Sequence, residues 1–321
     1  MKRVFNTAIL FAFLSFLPLT ARAEKLLIPV GEIVGLNIKD DTVTVAAFDD
    51  ALGGAARDAG LKIGDQLVEI QGKAVSSAED IQSVLQDEPE RIRLTVARGG
   101  KRRTVEFQPQ EGKTGKKLGV YLRQGISGIG TVTWYDPDSG RFGTLGHGVN
   151  SRYGMLLQLS EGSIYEARIS SVVPGKQGKP GLLKGNTGED MKIGQLYRNT
   201  PQGVFGKTRT DFKGQVLPVA SFQEIHTGPA SIRSTVSDGG PQEYSVEILK
   251  IYPQDREDCR NFLLKVTDPA LLSITGGIVQ GMSGSPIIQD GRLIGAVTHV
   301  MVSDPTTGYG IFIGNMLDAA A

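Results

Sequence analysis

Apolar and polar positions alternate from Thr42 to Phe48, which predicts a strand with one buried face. The run Gly53-Gly54-Ala55-Ala56-Arg57-Asp58-Ala59-Gly60-Leu61 predicts a short helix stopped by glycine, and Lys62-Ile63-Gly64-Asp65 turns the chain into a second strand, Gln66 to Ile70. Ser77-Ala78-Glu79-Asp80 has the form of a capping box, and Ile81, Val84 and Leu85 recur behind it at helical spacing, so this helix buries one face. Arg91 to Ala97 and Lys101 to Phe107 form a hairpin through Gly99-Gly100. Gln110 to Lys117 is polar, contains glycine and lacks apolar periodicity, which marks a linker. From there on, short apolar runs are separated by glycine, proline and aspartate, with no long amphipathic helix, and this predicts an all-β region built as one barrel or two.

The order of elements up to Phe107, with Ala59-Gly60-Leu61-Lys62-Ile63-Gly64-Asp65 as its most specific run, resembles a PDZ domain of the kind found in exported bacterial proteases. The resemblance implies a loop whose backbone N–H groups receive a peptide's terminal carboxylate while the peptide adds as a strand beside the capped helix. Gly35, Leu36, Asn37 and Ile38 are the expected loop. The expected organisation is an export segment over residues 1–23, a PDZ domain over 24–110 and a second domain over 111–321.

That export segment is read from Met1-Lys2-Arg3, the largely apolar stretch Ala8 to Leu19, and Ala21-Arg22-Ala23 at the place of cleavage. The apolar run falls short of the roughly 20 residues of a spanning helix, which favours a cleaved signal peptide over a membrane anchor. With 35 basic and 34 acidic residues, a net charge of +1, the chain has no broad field for holding nucleic acid or an anionic membrane. Cys259 is the single cysteine, so no intramolecular disulfide forms and stability rests on the cores. His147, His226 and His299 are isolated and no His-Glu-x-x-His is present, so neither a metal nor another cofactor is expected.

Chemistry concentrates in two glycine-rich stretches. Gly281-Met282-Ser283-Gly284-Ser285-Pro286 presents a serine on a tight turn before an apolar hairpin, and Gly143-Thr144-Leu145-Gly146-His147-Gly148-Val149 carries a histidine far upstream. A serine hydroxyl needs a base, a group that orients the base, and donors for the oxyanion. Ser283 is therefore the expected nucleophile and His147 the expected base, with His226 as the weaker candidate. The N–H groups of Gly281 and Ser283 are the expected oxyanion donors. Asp136 and Asp138 stand just ahead of His147 as candidate orienting acids, although Asp136-Pro137-Asp138-Ser139-Gly140 also reads as a plain turn. Thr298 reads equally as a hydroxyl supporting the acid and as an ordinary strand residue. The hairpin after Ser283 resembles that of chymotrypsin-like proteases, which implies a mainly β chain: an N-terminal PDZ domain followed by a chymotrypsin-like double β-barrel serine peptidase domain. Gly277 stands where a trypsin-like pocket places its carboxylate, so a preference for basic side chains is not expected.

Taken together, the PDZ-like region, Gly143-Thr144-Leu145-Gly146-His147-Gly148, the serine motif and Gly295-Ala296-Val297-Thr298-His299-Val300 resemble the stage IV sporulation protein B peptidase family from about residue 25 onward. The resemblance implies catalytic roles for Ser283 and His147 and assigns the acid to Asp268 in Lys265-Val266-Thr267-Asp268-Pro269. It also implies export into the space between two membranes during sporulation, self-cleavage, and cutting of a membrane-anchored regulator that releases an intramembrane protease. The rival expectation is a non-catalytic adaptor that binds protein C-termini through its PDZ domain. The expected partners are a membrane-anchored protein substrate and a C-terminal peptide, including the chain's own apolar tail, Met316 to Ala321.

Overall fold

The computed structural model describes residues 24–321 except 88, 152 and 153; the export segment expected over 1–23 lies outside the described residues. The chain is mainly β. Six strands, Gly228–Ser234, Gln242–Ile251, Phe262–Val266, Asp304–Phe312, Arg292–Met301 and Pro286–Gln289, pair in that order into a closed barrel. Six others, earlier in the chain, pair in a ring that is the first barrel in chain order, the closed barrel being the second: Ile33–Phe48, Val120–Asp136, Arg141–Thr144, Gly203–Thr208, Leu182–Thr200 and Glu161–Val173. This is the double-barrel architecture of chymotrypsin-like proteases, with Ile232, Val246, Phe262, Ile287 and Ile311 inside one barrel and Val34, Leu36, Ile38, Val132 and Phe142 inside the other.

The PDZ fold is present, but it is interleaved with the first barrel rather than placed ahead of it. Two long strands run through both units. Ile33–Phe48 pairs with Val120–Asp136 along almost its whole length, Ile33 opposite Thr131 at the barrel end and Phe48 opposite Val120 at the PDZ end. The PDZ core of Val43, Leu67, Ile81, Leu94, Val96 and Leu118 closes around the far end of this ribbon. Residues 33–38, expected in the PDZ domain, are therefore part of a barrel strand, and Leu26–Pro29 is a short strand that pairs with Val120–Asp136 at Tyr135 and Trp134. The expected linker at 110–117 is a small hairpin, Gln110–Gly112 with Gly115–Lys117.

The local signals act as expected. Ser77 accepts from the Asp80 N–H at 3.2 Å while the Asp80 carboxylate accepts from the Ser77 N–H at 2.9 Å, which fixes the start of helix Ala78–Gln86. The Ala59-to-Asp65 run owes its form to a buried ion pair. Asp65, 1% exposed, accepts from Arg98 Nε and Nη2 at 2.6 Å each and from the Lys62 N–H at 2.8 Å. The expectation that the chain's own tail seeks the PDZ groove is not met. Helix Ile313–Ala320 buries Ile313, Met316 and Ala320, and Arg198 donates to the Ala319 and Ala321 carbonyls at 3.0 and 2.6 Å, so the tail is committed to the barrels.

Candidate active site

His147 follows a strained turn. Leu145 holds φ +69° and Gly146 φ +68°, and the Gly146 N–H donates back to Thr144 O at 2.9 Å. A Cβ at Gly146 would lie 2.9 Å from Thr298 Cγ2, so only glycine lets this loop lie flat against the strand behind the serine. The loop beyond is held by Asn199, which accepts from the Val149 N–H at 2.9 Å and donates to the Val149 and Leu157 carbonyls at 2.8 and 2.9 Å.

The serine turn uses glycine twice. Gly281 sits at φ +100° and Gly284 at φ +98°, where a Cβ on Gly284 would fall 2.1 Å from Thr131 O and 2.6 Å from Leu145 N. Within the turn, the N–H groups of Met282, Gly284 and Ser285 donate to Val279 O, Val297 O and Met282 O. Among the described residues, those of Gly281 and Ser283 have no acceptor in the protein.

Thr131 joins the two loops, and nothing in the sequence marks it out from an ordinary strand threonine. It is fully buried; its hydroxyl donates to Gly281 O at 2.7 Å and its N–H to Ser283 O at 3.1 Å. Its carbonyl accepts from Thr144 Oγ1 at 2.6 Å and from the Leu145 N–H at 3.3 Å. One residue thus bonds both the serine turn and the histidine loop.

Ser283 and His147 line one cleft of about 400 Å³, together with Gly281, Thr298, His299 and an apolar wall that includes Ile278, Val279, Val300, Leu36, Ile126 and Ile129. Two imidazoles and no carboxylate line it. Ser283 Oγ donates to the Thr298 carbonyl at 2.8 Å. His147 Nδ1 lies 2.9 Å from the Gly148 carbonyl, so Nδ1 carries the proton and Nε2 keeps its lone pair. Burial lowers the His147 pKa below the usual histidine value, outweighing the Gly148 carbonyl that raises it. His299, absent from the expected site, stands with its ring centre 5.1 Å from that of His147. Although exposed, it is pushed down to about 4 by desolvation first, then by His147 and Arg260.

The orienting acids expected from sequence are elsewhere. Asp268 is the N-cap of helix Pro269–Thr275: Oδ1 accepts from the Ala270 and Leu271 N–H groups at 2.9 and 3.1 Å, and Oδ2 from the Ser245 N–H at 3.2 Å. Its carboxylate is consumed by a helix end, and among the described residues no carboxylate bonds His147. Asp136 pairs with Lys25 at 2.8 Å and Asp138 lies exposed in the turn. Thr298 supports no acid either; its hydroxyl donates to Tyr309 O at 3.2 Å, and its carbonyl is the part that touches Ser283. His226 pairs with Asp290 at the surface, 2.8 Å away. At Gly277 a Cβ would meet Pro305 O at 2.2 Å, so no side chain fits there.

The expected carboxylate loop is also displaced. Gly35, Leu36, Asn37 and Ile38 form a strand paired on both edges, with Tyr165 to Gly162 on one side and Ile129 to Ile126 on the other, so their backbone groups face neighbouring strands and cannot receive a ligand. A groove of about 620 Å³ lies instead between helix Ala78–Gln86 and the start of strand Val120–Asp136. At its end, Leu118 and Gly119 (φ +73°) have N–H groups without an acceptor among the described residues. The Leu118-Gly119-Val120 signal lies in the sequence, but beyond the last PDZ hairpin.

Comparisons with known proteins place the chain in a family. The family model described as SpoIVB peptidase S55 matches residues 114–317, and a PDZ domain model matches residues 51–98. The putative zinc metalloprotease R01501 of Rhizobium meliloti (strain 1021) is 28% identical over 224 residues, covering 69% of this chain and 55% of the relative. The chain thus spans about half the length of that relative. Among the described residues of this chain, no group of three or more His, Cys, Asp or Glu could hold a metal ion. The active form of the Rv3671c protease from M. tuberculosis is 15% identical with a TM-score of 0.38, covering 62% of this chain and 75% of that one. Its inactive form is 14% identical with a TM-score of 0.34, covering 60% and 82%. With a family model that runs from the polar hairpin through most of the C-terminal helix, more than half of the chain, this protein belongs to the SpoIVB peptidase S55 family and carries a PDZ domain.

Proposed function

We propose that this protein is a serine endopeptidase that works with a Ser283–His147 pair oriented by backbone carbonyls. The observation that carries the reading is the double role of Thr131, which bonds the serine turn and the histidine loop at once and so holds both at one cleft. In the reaction, Ser283 Oγ leaves the Thr298 carbonyl and gives its proton to His147 Nε2 as it attacks the peptide carbonyl carbon. The N–H groups of Gly281 and Ser283 receive the oxyanion. Collapse expels the amine, which takes the proton from Nε2, and water then releases the acyl group by the same route. The Gly148 carbonyl accepts from His147 Nδ1–H and so fixes the tautomer and ring orientation, without the negative charge by which a triad aspartate also stabilises the imidazolium.

An apolar wall without a carboxylate suits an apolar side chain beside the scissile bond. The groove along Leu118 to Leu122 suits a C-terminal peptide, whose carboxylate would accept from the Leu118 and Gly119 N–H groups. Family membership and the export pattern support a finer reading: action outside the cytoplasm between the membranes of a developing spore, self-cleavage, and cutting of a membrane-anchored regulator that triggers intramembrane proteolysis. The decisive test is fluorophosphonate labelling and self-processing of wild type against Ser283→Ala. Labelling of wild type alone is expected; equal labelling of both ends the nucleophile assignment. Loss of self-processing in Ser283→Ala when produced alone, and its return when wild type is added, supports cleavage of this chain by its own kind.

A further inference from the structure

The orientation of the oxyanion-binding peptide is set from outside the barrel that carries it. Strand Leu182–Thr200 of the first ring begins beside the serine turn, where the Leu183 N–H donates to Gln280 O at 2.8 Å and the Gln280 N–H donates to Gly181 O at 2.9 Å. Because the peptide between Gln280 and Gly281 is planar and trans, its C=O and N–H point in opposite directions. Holding Gln280 O against Leu183 therefore turns the Gly281 N–H away from the strand and toward the cleft that Gly281 lines. Were the peptide flipped, a carbonyl would face the cleft and the donor would be lost.

The same strand start leaves little room for another arrangement. A Cβ on Gly281 would sit 3.0 Å from Leu183 Cβ, and Leu183 is 1% exposed in one core with Ile278, Val279 and Met282. A Cβ on Gly181 would meet Gly175 N at 2.4 Å, Val173 O at 2.5 Å and Val279 Cγ1 at 2.6 Å. The connection from Val173 to Leu182 is docked as well: the Gly175 N–H donates to Thr275 O and the Gly178 N–H to Val302 O, each at 2.8 Å.

We propose that Gly181 and Leu183 are positioning residues for acyl transfer: their backbone, on an arm of the first barrel, fixes the Gln280–Gly281 peptide in the second in its oxyanion-binding orientation. The proposal rests on the reading of Ser283 as nucleophile. Leu183→Pro removes the N–H, and Gly181→Ala forces the strand away from Val279. Both are assayed as full chains, with kcat and KM separated on a peptide that wild type cleaves, alongside affinity for a peptidyl boronic acid and, on the Ser283→Ala background, for the uncut peptide. Loss of one oxyanion donor predicts a kcat lower by about 100- to 1,000-fold, with KM within about threefold. Boronate affinity falls in parallel and uncut-peptide affinity holds. A cooperatively folded variant with wild-type kcat, or one that loses only KM, overturns the proposal. The wild type offers a test that needs no variant. A Gly281 amide signal that shifts on boronate binding while the Leu183 amide stays protected from exchange supports the proposal; a freely exchanging Leu183 amide overturns it. Cleavage by Ser283→Ala at the wild-type rate overturns the nucleophile assignment instead, and the proposal with it.

Discussion

Asp268 shows how one residue can carry a familiar spacing and a different task. Its carboxylate receives three backbone N–H groups, two of them at the start of a helix. Asp268→Ala is therefore expected to lower stability by about 1 kcal/mol, the usual cost of a lost N-cap, while kcat stays within about threefold. A loss of about 10,000-fold in kcat in a folded variant would restore Asp268 as the triad acid. Burial of His147, with no carboxylate bonded to it among the described residues, predicts a pH profile. As the proposed base, His147 must be neutral to accept a proton, and burial lowers its pKa from the usual histidine value, so activity is expected to persist under acidic conditions where an ordinary histidine is already charged. The acid limb of kcat/KM should have its midpoint below 6.5; a midpoint at or above that value contradicts a buried, carboxylate-free base.

Among elements, those defined within a few residues were legible and those defined by distant partners were not. Helix Ala78–Gln86 starts where Ser77 and Asp80 cap each other, an arrangement complete within four residues. The hairpin through Gly99-Gly100 is equally local. By contrast, Gly35 to Ile38 reads as a loop until its partners on both edges are known, and those partners lie near residues 128 and 164. The Asp65–Arg98 pair ties the PDZ turn to its last hairpin with Asp65 almost fully buried. Asp65→Ala leaves Arg98 without its partner and should destabilise the chain by about 3 kcal/mol, read from denaturant or thermal unfolding. A change below about 0.5 kcal/mol would show that solvent takes over the arginine without loss.

At the scale of the whole molecule, the PDZ unit grows from the first barrel on a two-stranded ribbon. Truncation at residue 110 should therefore fail, because it removes Ile33 to Ile38 and opens a ring that needs them on both sides. Excision of residues 41–123, closed by a two-residue Asn-Gly turn, keeps Ile38 opposite Ile126 and should give a soluble protein that still labels with fluorophosphonate. Soluble, active protein from the truncation, or an insoluble product from the excision, would show that the two units are joined in some other way. Strand Val120–Asp136 links the groove beside helix Ala78–Gln86, which includes Val120 to Leu122, to Thr131 behind the serine turn, so the groove and the turn share one backbone.

The residues proposed for the chemistry stand out in the sequence because they sit in short glycine-bracketed stretches: Ser283 on its turn and His147 in its loop. The PDZ elements and the β character of the remainder were readable for the same reason, since periodicity, caps and turns act over a few neighbouring residues. Only the tertiary structure decided that Asp268 caps a helix, that the Gly148 carbonyl meets His147 Nδ1, that Thr131 bonds both loops, and that the groove beside helix Ala78–Gln86 is completed by strand Val120–Asp136. Each of these depends on a hydrogen bond or register set by burial across many residues, and no local pattern encodes which distant backbone will arrive there.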